Sequence, residues 1–162
     1  MKLASERMAD LGLTLPPVPA PVAAYVPAVR FADLVFTAGQ LPLVAGELQA
    51  VGQVGAAVDE DLAYACARTA ALNGLAAAAE ATGDLDVIAR IVKVVVYVSS
   101  APGFTGQPQV ANGASDLLQE IFGRTGQHAR SAVGVSSLPL NAPVEVELVV
   151  AAGSAPTMHH HI

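Results

Sequence analysis

The stretch Val144-Glu145-Val146-Glu147-Leu148-Val149-Val150 constrains the fold more than any other part of the chain. Its even positions are all apolar, which is the period of a β-strand with one face turned to a core. Glu145 and Glu147 then point to the opposite face. Such a strand needs a sheet around it and an apolar layer over one side, and the sequence supplies both. Asp86 to Ser99 reads as a strand in which β-branched Val94, Val95 and Val96 and apolar residues on both faces suggest a central position. A long helix is expected from Asp59 to Thr82, with three carboxylates in its first turn and Gly83 as its stop. Gln109 to Phe122 reads as a second helix, with Val110, Ala114, Leu117 and Ile121 as its apolar stripe.

The remaining elements fit the same plan. Residues 3–12 read as a short helix, and Leu15-Pro16-Pro17-Val18-Pro19-Ala20-Pro21 as a stiff extended crossing. Residues 25–31 and 34–38 read as short strands joined at Ala32-Asp33, and Arg130 to Ser136 as another strand. The expected division is an N-terminal helix and Pro-rich extension over 1–17, one α+β domain over 18–153, and a flexible tail over 154–162. In the domain, a mixed sheet carries two main helices on one face. The chain has 162 residues, enough for one domain with a real core.

Composition removes several function classes. Eight Lys and Arg stand against fourteen Asp and Glu, and 4% of residues are aromatic. Neither a phosphate-binding footprint nor a base-stacking platform follows, so no nucleic-acid partner is expected. The most apolar run, Ile91 to Val98, is too short to span a bilayer as a helix. No membrane partner is expected, and without an N-terminal apolar h-region a cytoplasmic location is. Cys66 is the only cysteine, and in an Ala-rich helix it reads as a small buried residue. The terminal His159-His160-His161 run is unanchored, no internal cluster has metal-ligand spacing, and no phosphate- or dinucleotide-binding motif occurs. No metal or cofactor is expected.

The chemistry falls on the last two strands. With Val133 and Val135 assigned to the core, Arg130, Ala132 and Gly134 share the helix-free face with Glu145 and Glu147. Val95 and Tyr97 join that face in one register. A half-apolar face bearing charges suits burial against other copies of the chain, most simply in a closed ring. If the last two strands form a hairpin centred near residue 140, Arg130 and Glu145 lie five residues apart, or ~17 Å. Either they act separately, or Arg130 of one copy meets Glu145 of another. His128 could tune a proton transfer or serve as a hydrogen-bonded residue at a loop-to-strand junction.

His128-Ala129-Arg130-Ser131-Ala132-Val133-Gly134-Val135, then Leu138-Pro139, then Val144-Glu145-Val146-Glu147, resembles the C-terminal signature of the RidA/YjgF/YER057c/UK114 family, also called endoribonuclease L-PSP. Thr37-Ala38-Gly39-Gln40-Leu41-Pro42 is similar to the family's strand ending in Ser-Gly-Gln-hydrophobic-Pro. Tyr25-Val26-Pro27-Ala28 resembles its tyrosine-bearing segment. Val110 to Leu118 resembles the second helix of a longer branch with an extra N-terminal helix. The resemblance implies a chorismate-mutase-like fold, a six-stranded mixed sheet and a homotrimer with sites between subunits. It implies that Arg130 grips a substrate carboxylate and that Glu145 positions or activates water. Gly39 would be a backbone contact, Tyr25 a wall, and Asn112 a helix residue near the pocket.

The implied activity is hydrolysis of reactive enamine and imine acids, of the 2-aminoacrylate type, to 2-keto acids and ammonia. Two positions depart from the family pattern. Ala38 stands where the archetypes have serine, and Ala132 where they have cysteine, so two polar groups of the substrate pocket are missing. A non-catalytic trimer that binds keto acids is therefore the alternative. Ribonuclease action or translation inhibition fits the acidic, aromatic-poor chain less well.

Overall fold

The computed structural model describes residues 1–20 and 23–153, and the His-rich segment 154–162 lies outside the described residues. The chain runs α1 (Ala4–Asp10), β1 (Ala28–Phe31), β2 (Leu34–Thr37), β3 (Leu43–Val44), β4 (Glu47–Leu48), α2 (Glu60–Thr82), β5 (Ile88–Ser99), α3 (Gln107–Phe122), β6 (Ala129–Val135) and β7 (Val144–Ala152). The main sheet has the order β1-β2-β7-β5-β6, and β3 and β4 form a separate two-residue ribbon. The sheet is mixed, because β6 runs parallel to β5 while the other neighbours are antiparallel. The α+β class and the two main helices on one face are as read from the sequence. The main sheet has five strands rather than six, since the Gly-rich stretch after β2 folds back on itself instead of joining the edge.

Local chemistry explains the elements. The Asp59 carboxylate accepts the Leu62 backbone N–H at 2.8 Å and caps α2. Gly83 ends the helix in the left-handed region (φ 89°), which a side chain would disfavour. Ala63, Ala67, Ala70, Ala71 and Ala78 of α2 are fully buried. Alanine is the strongest helix former, and its small side chain lets a second helix approach closely. Gly113 of α3 marks that approach: a Cβ there would lie 2.0 Å from the Tyr64 carbonyl oxygen. Cys66 lies in the same buried layer, where burial pushes its thiol up to about 11.

In β7 the alternation is complete. Val144, Val146, Leu148 and Val150 are buried against the helices, and Glu145, Glu147 and Val149 face the other way. Each fully buried Val or Leu stabilises the fold by roughly 1.5–3 kcal/mol. Ile91, Val94, Val96 and Val98 of β5 and Val35 of β2 complete the sheet's half of the core. Met8 places α1 in the same core, and the Ser5 backbone N–H and hydroxyl both donate to the Asp86 carboxylate. No helix among the described residues is long and apolar enough to cross a membrane.

The order of strands corrects one expectation. β6 and β7 are not a hairpin, because β5 lies between them. The β5-α3-β6 unit is a parallel crossover, and the connection from β6 then passes over the end of β5. That passage is pinned: Gln53 Nε2 donates to the Ser136 carbonyl (2.9 Å), Gly52 N to Asn141 O (2.8 Å), and Ser99 N to Pro143 O (2.9 Å). β7, apolar at every core-facing position, enters the middle of the sheet rather than its edge.

No helix among the described residues covers the other face of the sheet. Register places Val29, Phe31, Leu34, Phe36, Val95, Tyr97, Val149, Glu145 and Glu147 on it. Phe31 is 76% exposed and Val29 52%. An exposed apolar patch on a sheet is the kind of surface that proteins use for association or ligand binding.

Candidate functional site

The same register relocates Arg130. Arg130 pairs with Val94, which pairs with Leu148, and both of those are buried under the helices. Directly opposed residues share a face, so Arg130 lies on the helix side. Val133, expected in the core, pairs with Tyr97 on the helix-free face and is 43% exposed. The sequence pattern pointed the other way, because both valines, Val133 and Val135, share one phase and the small Ala132 and Gly134 share the phase of Arg130. Small residues on the helix side follow from crowding: a Cβ on Gly134 would meet Gln107 Nε2 at 2.8 Å and Ser100 Oγ at 3.0 Å.

At the β6 edge the Arg130 side chain reaches α3. Its Nη1 donates to Asn112 Oδ1 (2.8 Å) and to Ser115 Oγ (3.1 Å). Ser115 Oγ is also 2.9 Å from His128 Nε2, and His128 Nδ1 is 2.7 Å from the Gly126 carbonyl. These residues, with Asp116, line an open cavity of about 370 Å³. Arg130 Nε and Nη2 have no protein partner among the described residues, so the side-on edge of the guanidinium is open. Two parallel N–H groups on that edge match the two oxygens of a carboxylate. Burial, and secondarily the Arg130 charge, lower the affinity of His128 for a proton, while its bond to the Gly126 carbonyl acts the other way.

Glu145 belongs to a second cavity, also about 370 Å³, with walls from Tyr25, Pro27, Gly39, Leu41 and Pro139. The strap after α1 contributes Val18, Pro19 and Ala20 to its rim. Gly39 is placed by a bridge outside the regular strands, in which Gln40 and Val146 exchange backbone hydrogen bonds of 2.8 and 2.9 Å. The carboxylate of Glu145 lies against the Gly39 backbone so closely that a Cβ on Gly39 would fall 1.8 Å from Oε1. Burial raises the Glu145 pKa above its ordinary 4.5, and the neighbouring Glu147 charge adds to the rise. Glu147 itself accepts the Tyr97 hydroxyl at 3.0 Å.

The site residues named from sequence therefore fall into two groups. Arg130 and Asn112 meet in one cavity; Tyr25, Gly39 and Glu145 meet in the other. Ala38 and Ala132 are half-buried and line neither. Arg130 and Glu145 are three residues out of register and two strands apart, or about 14 Å between Cα atoms. They also project from opposite faces. Ser115 was missed; its one signal is the three-residue spacing from Asn112, which puts both on one helix face. No group of three or more His, Cys, Asp or Glu among the described residues could hold a metal ion.

A five-stranded mixed sheet with two main helices on one face, β6 parallel to β5 and the other neighbours antiparallel, defines a class of small α+β proteins. Residues 5–151 match the family described as "YjgF/chorismate_mutase-like, putative endoribonuclease", and the chain belongs to that family. It is 45% identical over 143 residues to Protein TCP17 of Trypanosoma cruzi, covering 86% of this chain and 88% of that one. It is 29% identical over 138 residues to a 2-iminobutanoate/2-iminopropanoate deaminase of Dermatophagoides farinae, covering 85% and 93%. Among solved structures it superposes on Atu1372 of Agrobacterium tumefaciens, a protein of unknown function, with a TM-score of 0.84, 41% identity and 92% of each chain covered.

Proposed function

We propose that the protein is a RidA-type hydrolase of reactive 2-imino and enamine acids. It works as a homotrimer, with each site assembled from the Arg130 cavity of one copy and the Glu145 cavity of the next. The observation that carries this reading is the pairing of an arginine with an open carboxylate-binding edge and a half-buried glutamate of raised pKa on a separate surface. The exposed apolar sheet face supplies the contact that would bring two copies together, and the deaminase relative supports the reaction class.

The chemistry asks little of the protein. Arg130 holds the substrate carboxylate. Glu145 takes a proton from water as its oxygen adds to the imine carbon and passes it to nitrogen, and the proton of the resulting hydroxyl follows to nitrogen as the C–N bond breaks and the C=O forms. An imino acid and one water give a 2-keto acid and ammonia. Orientation and one base of suitable pKa are sufficient contributions.

Ammonia and keto-acid release from freshly generated 2-iminobutanoate tests the reading. Arg130→Ala is expected to lower kcat/KM by about 10²–10³-fold, as loss of a charge-assisted pair does. Equal inertness of wild type and variant would remove it. Keto-acid binding that needs Arg130 but is accompanied by no turnover would leave a metabolite-binding trimer, the reading that Ala38 and Ala132 favour.

A further inference from the structure

Beside Arg130 the cavity holds two polar side chains to which the proposed reaction gives no role, Ser115 and His128. Both are built in. Ser115 is 7% exposed on α3. His128 precedes β6, with one ring nitrogen facing the Gly126 carbonyl and the other the Ser115 hydroxyl. A carbonyl only accepts, so Nδ1 carries the hydrogen and the neutral ring offers its Nε2 lone pair. The Ser115 hydroxyl then donates to Nε2, and its remaining lone pairs face Arg130. Arg130 Nη1 donates to that oxygen and to Asn112 Oδ1. Asp116, the one acidic residue lining the cavity, is engaged by the Tyr64 hydroxyl at 2.7 Å and leaves Arg130 uncontested.

We infer that Ser115 and His128 are positioning residues that hold Arg130 by Nη1, so that its Nε–Nη2 edge is presented for side-on capture of a substrate carboxylate. This rests on the reading of Arg130 as the carboxylate-binding group. The order of the chain is Gly126 carbonyl, His128, Ser115, Arg130, ligand. Each link fixes the donor or acceptor sense of the next. An arginine on an edge strand has several rotatable bonds, and this chain of bonds selects one arrangement before the ligand arrives.

The test uses the full-length protein, with 2-iminobutanoate for kinetics and 2-oxobutanoate for calorimetric binding. Ser115→Ala removes one of the two acceptors of Nη1 and leaves Asn112 Oδ1, and His128→Phe removes the acceptor for the hydroxyl. Each is expected to raise KM and the 2-oxobutanoate Kd about 10-fold, the scale of one lost hydrogen bond to a charged group, with kcat within about 2-fold. Ser115→Thr keeps the hydroxyl, and His128→Gln keeps an acceptor near the Nε2 position. Both are expected to stay within about 3-fold of wild type. Thermal melting of all four variants reports folding. If Arg130→Ala abolishes binding while Ser115→Ala and His128→Phe leave KM and Kd unchanged, the inference falls alone. It also falls alone if Ala and Thr at 115 are equally impaired. If Arg130→Ala itself changes nothing, the reading of the site falls and the inference with it.

Discussion

Arg130 and Glu145 occupy opposite faces of one sheet and are held by different means. Arg130 stands at the β6 edge on the helix side, fixed by side-chain hydrogen bonds from α3. Glu145 stands in the central strand β7 on the helix-free side, fixed by packing against the backbone of Gly39. The first arrangement is open to solvent and to another molecule. The second lies beside an apolar face that water cannot satisfy. One small ligand cannot reach both groups in a single chain, so under the proposed reaction the two would have to come from different copies.

Mixing variants is the strongest way to break that comparison. Arg130→Ala and Glu145→Gln are each expected to lose about 10²–10⁴-fold in kcat/KM as homogeneous proteins. Refolded together in equal amounts, random closed rings would place an intact arginine beside an intact glutamate at about one site in four. Recovery of about a quarter of wild-type activity is the expected outcome. No recovery, with mixed trimers verified by mass, would place both groups in one chain's site.

A smaller effect isolates the Glu145 half. The Gly39→Ala methyl must displace the end of a flexible side chain rather than backbone. Activity is expected to fall about 10–100-fold with little change in Tm, because catalysis depends on where the base sits. A large drop in Tm with unchanged kcat would show that Gly39 serves folding instead. On the core side of the same strand, Leu148→Ala is expected to cost about 2–5 kcal/mol of stability by denaturant titration, since Leu148 is fully buried. If the variant is stable and folded, its kcat should be preserved.

The smallest expected effect concerns pH. Glu145 must be deprotonated to accept a proton from water, and its pKa is raised. The acid limb of kcat/KM should therefore lie above the ordinary glutamate value of 4.5. Glu147→Gln removes a negative charge that contributes to the rise, so the limb should move to lower pH. A limb that stays in place or moves upward would show that Glu147 does not act on Glu145.

Much of this was legible from the residues. The β7 alternation named the buried and outward sides correctly, and Asp59 and Gly83 marked the ends of α2. The partition of β6 was not legible. Arg130, Ala132 and Gly134 alternate with Ser131, Val133 and Val135, and the second set is the more apolar, so periodicity assigned it to the core, whereas at this edge strand the crowded helix side takes the small residues and the arginine. A one-residue choice of phase flips every side chain to the other face. Ser115 was hidden for a similar reason, since its role depends on a histidine thirteen positions away.

The sequence by itself determined the main helices and strands and the class of fold, and singled out Arg130 and Glu145 as candidates, because periodicity, capping and motif spacing are local properties. Tertiary structure alone decided that β5 separates β6 from β7, that Arg130 and Glu145 face opposite ways, and that His128 and Ser115 stand behind the arginine. Strand order and register are set by which apolar faces bury best together, and that balance is struck over the whole chain.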